Sequence, residues 1–144
     1  MFKIQNIIYV ITIILLIIIA YIDFKKHIIS DKFNIAIGVL GIINVIYDIE
    51  NLKIYLISTC LVFIFFLILA ITTKGGIGGG DIKLFTALSL IFGTNILTVI
   101  TITFTVATIF SMLKLFLKQM SVKENVPLAP FVCLSVIMVV IIKL

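Results

Sequence analysis

Gly76-Ile77-Gly78-Gly79-Gly80-Asp81 places a carboxylate directly behind a cluster of glycines, with apolar chain on both sides. Upstream, residues 54–73 contain no charged side chain, and downstream the apolar runs 82–92 and 96–116 are interrupted only by Lys83 and Lys114. An ionisable residue kept in such surroundings is expensive, and it marks a functional site by default. The rest of the sequence is therefore searched for a partner to Asp81.

Composition sets the solvent. Of 144 residues, 63% are hydrophobic and 12% charged, and the mean hydropathy is +1.42. A soluble domain of this size has too little interior to hide that much apolar surface. The chain therefore reads as lipid-embedded, and a helix needs about 20 apolar residues to cross a hydrocarbon core of about 30 Å. Six stretches qualify or nearly so, namely residues 4–22, 33–47, 54–73, 82–92, 96–116 and 126–142, of which the second and fourth are short. The expected fold is an all-α, polytopic membrane bundle of about six transmembrane helices, a single membrane-embedded domain over residues 1–144. Residues 84–113 allow one long tilted helix and hence five spans, but Gly93-Thr94-Asn95 favours a turn. The start Met1-Phe2-Lys3 resembles a secretory leader. However, the apolar run behind it exceeds an h-region of about 7–15 residues, and no small-x-small cleavage site follows.

All eleven positive residues are lysine, and the net charge is +5. No dense basic run with interleaved aromatics is present, so nucleic acid is excluded as a partner and the lysines are read as topology markers. One side collects Lys25, Lys26, Lys32, Lys74, Lys83, Lys114, Lys118 and Lys123, and the other keeps Lys3, Lys53 and Lys143. The N-terminus is thus expected outside. Asp23, ending the first span, and Asp81, opening the fourth, then share the cytoplasmic face. Counting back from Gly93, the residues to Asp81 rise only about 18 Å, so Asp81 is expected below the membrane surface.

Two aspartates held close in a low-dielectric site cannot both ionise comfortably, so one keeps its proton while the other acts as base. Such a pair activates water against a peptide carbonyl without metal or covalent intermediate. Glycines at 75, 76, 78, 79 and 80 let a substrate backbone approach closely and should border a wet cleft. A phosphate loop would need Lys-Ser or Lys-Thr after the last glycine, whereas Asp81 stands there and repels phosphate. The plainer reading of Asp81 is a helix N-cap, and that of Asp23 an interfacial charge paired with Lys25 or Lys26. Cys60 and Cys133 lie in apolar runs without Cys-x-x-Cys spacing. They read as packing residues, and no metal or cofactor is expected.

Three motifs together resemble the type IV prepilin peptidases, membrane aspartyl proteases with a Gly-x-Gly-Asp signature. They are Tyr21-Ile22-Asp23-Phe24-Lys25-Lys26-His27-Ile28-Ile29-Ser30-Asp31, Gly78-Gly79-Gly80-Asp81-Ile82-Lys83 and Pro127-Leu128-Ala129-Pro130-Phe131. The resemblance implies Asp23 and Asp81 as the catalytic pair, with Lys83 in the trailing lysine position. Gly78, Gly79, Gly80 and Lys83 are expected to meet the substrate, a pilin-like precursor whose leader is cut at the cytoplasmic membrane face. Lys83 lies about 200° around a helix from Asp81, which suits snorkelling or holding acidic substrate groups.

Many relatives have Ile-Pro-Asn where this chain has Ile29-Ser30-Asp31. Asp31 is read as a surface cap of the second span and His27 as interfacial without a catalytic role, while Pro127 and Pro130 fit a helix first turn. The larger relatives carry an N-terminal extension with Cys-x-x-Cys pairs and a methyltransferase activity, so peptidase activity alone is expected here. The competing reading is a small transporter or assembly subunit with acidic residues strung along an ion pathway. A presenilin-like protease shares Gly-x-Gly-Asp, but its relatives are longer and place the other aspartate within a transmembrane helix after a Tyr.

Overall fold

The computed structural model describes residues 4–74, 76–117 and 126–143. Lys3, Gly75, the 118–125 connection with Lys118 and Lys123, and the side chain of Lys143 lie outside the described residues. Six helices form on the six apolar stretches: α1 (Ile4–Lys26), α2 (Asp31–Tyr47), α3 (Leu52–Thr72), α4 (Gly79–Phe92), α5 (Ile96–Phe116) and α6 (Ala129–Lys143). Short 3₁₀ turns at Ile49–Asn51 and Gly93–Asn95 lead into α3 and α5, and the described residues contain no strand. Isoleucine, valine and threonine are poor helix formers in water. Lipid reverses that preference, because a spanning segment must satisfy its own backbone groups. Many of the threonines turn the hydroxyl back onto a carbonyl one turn earlier, as Thr12 does to Ile8 and Thr103 to Val99.

Three helical stretches are long and apolar enough to cross a membrane: Ile4–Lys26, Ile49–Thr72 and Gly79–Phe116. The last is folded in half. Phe85 and Phe104 have ring centroids 6.1 Å apart, whereas their sequence separation along a straight helix would put them about 28 Å apart. Phe66 of α3 stacks on both, at 4.7 and 6.0 Å. The reversal occurs at Gly93, whose φ is +54° and where a Cβ would meet the Tyr55 ring at 3.2 Å. The single-rod alternative is therefore excluded, and a glycine is required at the turn.

Helix α4 lies at the centre, packed against α2, α3 and α5. It buries residues over much of its circumference, including Ile82, Leu84, Ala87 and Phe92. Helix α2 approaches it closely through Gly41, where a Cβ would stand 2.6 Å from the Leu90 Cβ. Small residues at such crossings let backbones approach where lipid supplies no hydrophobic drive between helices. α6 closes the bundle against α1 and α5, with a buried Thr103–Ser135 hydroxyl contact of 2.6 Å.

The outward faces are apolar. On α3, Ile57, Leu61, Ile64, Ile68 and Ile71 are all exposed at helical spacing, a stripe suited to lipid rather than water. Cys60 lies on that outer surface and Cys133 in the core. The packing role expected of both cysteines thus holds for Cys133 and not for Cys60.

Candidate active site

Helix α1 runs one turn beyond its apolar stretch, so Asp23 is part of the helix and is only 5% exposed. His27 then adopts φ +51°, and its N–H bonds to the Asp23 carbonyl at 2.8 Å. A left-handed residue in that position ends a helix sharply. The turn carries Ile28 and Ile29 onto the start of α4, where a Cβ on Gly80 would stand 3.0 Å from the Ile29 Cβ.

At the start of α4 the N-cap is Gly78, in extended conformation. The Asp81 N–H bonds to the Gly78 carbonyl at 3.0 Å, which makes Asp81 a first-turn residue and corrects the reading of it as the cap itself. Gly79 and Gly80 likewise belong to the first turn of α4 rather than to an extended loop. A side chain on Gly78 would crowd the Asp81 carboxylate, with a Cβ only 3.1 Å from its Oδ2, whereas a Cβ on Gly79 would point into open space. The three glycines therefore differ in purpose: one clears the carboxylate, one faces open space, and one admits Ile29.

Asp23 and Asp81 line the same cavity, of about 230 Å³, together with His27, Ile28, Ile29, Gly78, Gly79 and Gly80. From the far side, the Ala129 N–H at the start of α6 donates to Asp23 Oδ2 at 3.0 Å. The end of α1 and the beginnings of α2, α4 and α6 meet here. A larger cavity of about 510 Å³ between α3 and α5 is lined by residues such as Ile57, Leu61, Phe65 and Leu97. It contains no titratable group and is apart from the carboxylates.

The remaining candidates fall outside the cavity wall. Lys83 Nζ bonds to both Asp31 carboxylate oxygens, at 2.8 and 2.9 Å, with the two side chains 57% and 63% exposed. Asp31 opens α2 as expected, and its carboxylate is engaged by this lysine. Pro130 is in the first turn of α6, and Pro127 lies in the segment before it. At the opposite end of the bundle, Asp48 accepts from the Tyr55 hydroxyl at 2.8 Å and from Asn51 at 3.0 and 3.2 Å. Among the described residues, Asp23, Asp31 and Asp81 thus lie at one end of the bundle and Asp48 and Glu50 at the other, rather than stepping along a pore. Among the described residues no group of three or more His, Cys, Asp or Glu side chains is placed to hold a metal ion.

Three participants escaped the sequence reading. His27 stands in the cavity wall, Ala129 supplies a donor to Asp23, and the Asn34 amide donates to the Gly80 carbonyl at 3.2 Å. The first depends on one backbone angle and the others on contacts between distant positions, so although His27 and Ala129 stand in two of the quoted motifs, spacing does not specify these contacts.

A family model described as the type IV leader peptidase family matches residues 10–143. The chain is 34% identical over 135 residues to a prepilin peptidase, EppA, of Methanocaldococcus jannaschii, an alignment covering 86% of this chain and 37% of that protein. The chain thus spans well under half the length of that relative. No solved structure matches it.

Proposed function

The chain belongs to the type IV leader peptidase family, and from that premise we propose that it is a membrane aspartyl endopeptidase that removes the leader of pilin-like precursors. One observation carries the reading: Asp23 and Asp81, remote in sequence, wall one small cavity at one end of the bundle. For the pair to act as acid and base, one carboxylate carries a proton while the other is ionised. The ionised one takes a proton from water as its oxygen attacks the scissile carbonyl carbon, and the protonated one gives its proton to the carbonyl oxygen. Collapse of the tetrahedral intermediate then breaks the C–N bond and sends a proton to the leaving nitrogen.

The open space at Gly79 suits a substrate backbone laid across the first turn of α4, with Gly78 and Gly80 beside it. Lys83 lies outside the cavity wall, paired with Asp31; acidic groups of a substrate would meet its charge in exchange for that partner. The apolar segment of the precursor docks from the bilayer, since the flanks of the bundle are apolar. Lysine distribution favours six crossings with the N-terminus outside and the aspartates at the cytoplasmic face of a bacterial or archaeal cell membrane.

Co-expression with a pilin-like precursor in cells lacking their own leader peptidase tests the activity. The precursor should be shortened at the junction of leader and hydrophobic helix, and an unshortened precursor in the presence of membrane-inserted protein would refute the assignment.

A further inference from the structure

Asn34, in the first turn of α2, is 5% exposed and donates from Nδ2 to the Gly80 carbonyl at 3.2 Å. That carbonyl belongs to the peptide unit joined to the Asp81 nitrogen. Inside an α-helix it already receives the N–H four residues on, so the backbone does not need Asn34 to be satisfied. The other half of the amide is left wanting, because Oδ1 is buried with no hydrogen-bond partner among the described residues. A buried acceptor without a partner is destabilising. By stability alone an apolar side chain of similar size would serve at least as well at this position.

What the asparagine does supply is direction. Asn34 follows Asp23 closely in the chain, separated by the His27 turn and the start of α2. Ile29, from the same segment, presses on Gly80, and Asp31 grips Lys83 at the surface. Of these ties, the Asn34 bond is the one that reaches the peptide plane adjacent to Asp81, adding to the backbone bond from the Asp81 N–H to the Gly78 carbonyl. We propose that Asn34 is a positioning residue, its amide holding the first turn of α4 so that the Asp81 carboxylate faces Asp23 at working separation.

This inference rests on the aspartyl-protease reading above. Its test compares purified wild type, Asn34→Leu and Asn34→Ala in detergent, measuring cleavage kinetics on a synthetic pilin-like precursor and the thermal midpoint of each protein. Asn34→Leu should lower kcat about tenfold or more, since small misplacements of reacting groups are costly, with KM within about twofold and Tm unchanged or raised. Asn34→Ala should lose kcat to the same extent, whatever its Tm. Wild-type kcat in Asn34→Leu, or a loss of kcat that tracks a falling Tm through both variants, overturns the proposal. Asp81→Asn in the same assay separates the two ideas: if it cleaves normally the protease reading itself fails, and if it is dead beside a fully active Asn34→Leu only the positioning role fails.

Discussion

Ala129 donates its backbone N–H to Asp23 Oδ2 across 3.0 Å, so the first turn of the last helix holds the carboxylate near the end of the first. The contact is buried, and an N–H left without an acceptor there costs about 1–3 kcal/mol. An asparagine oxygen can take the same bond. Asp23→Asn should therefore keep the thermal midpoint of the wild type in detergent, while Asp23→Leu should lower it by several degrees. Equal midpoints for the two variants would show that the bond contributes nothing.

The glycines before Asp81 are predicted to respond differently to alanine. Gly79→Ala meets nothing within 4 Å, so its Tm should be unchanged; its methyl intrudes where the substrate backbone is proposed to lie, and KM should rise. Gly80→Ala drives a Cβ to 3.0 Å from the Ile29 Cβ and should lower both Tm and kcat. Michaelis kinetics and thermal melts on the two proteins check the order, and identical behaviour would contradict it.

Asp31→Asn removes the Lys83 ion pair, whose members are 63% and 57% exposed. Exposed pairs contribute about 0–1 kcal/mol, so folding and precursor cleavage should stay near wild type. An inactive Asp31→Asn would move the catalytic assignment to Asp31.

Two glycines of α2 offer a packing test. A Cβ on Gly38 meets nothing within 4 Å, whereas one on Gly41 stands 2.6 Å from the Leu90 Cβ. Gly38→Ala should be neutral or stabilising, as alanine is the better helix former by about 1 kcal/mol. Gly41→Ala should destabilise by about 1–3 kcal/mol, the usual cost of overpacking. Unfolding measurements in mixed micelles would reveal whether that order holds.

Much of this was legible before any coordinates. The apolar runs mark where each helix forms, Gly93 marks the reversal through its turn chemistry, and the glycine cluster locates the start of α4. Asp23 and Asp81 could be paired because both sit where a helix meets the lysine-rich end. What escaped lies in contacts without local pattern. His27 enters the cavity wall through one left-handed φ, and Asn34 reaches Gly80 between elements whose approach depends on Gly41 and Ile29. Asp81 resembled a cap because the true cap, Gly78, has no side chain to announce itself. Helix geometry sets Lys83 about 200° around from Asp81, but its partner Asp31 is fixed only by how α2 and α4 pack.

The central claim is that Asp23 and Asp81 act as one catalytic pair. Reconstituting wild type, Asp23→Asn and Asp81→Asn into lipid vesicles with a pilin-like precursor, and following leader release by mass, tests it most directly. The account predicts leader release by the wild type and none by either variant, with all three inserted and equally folded; normal release by either asparagine variant would contradict it.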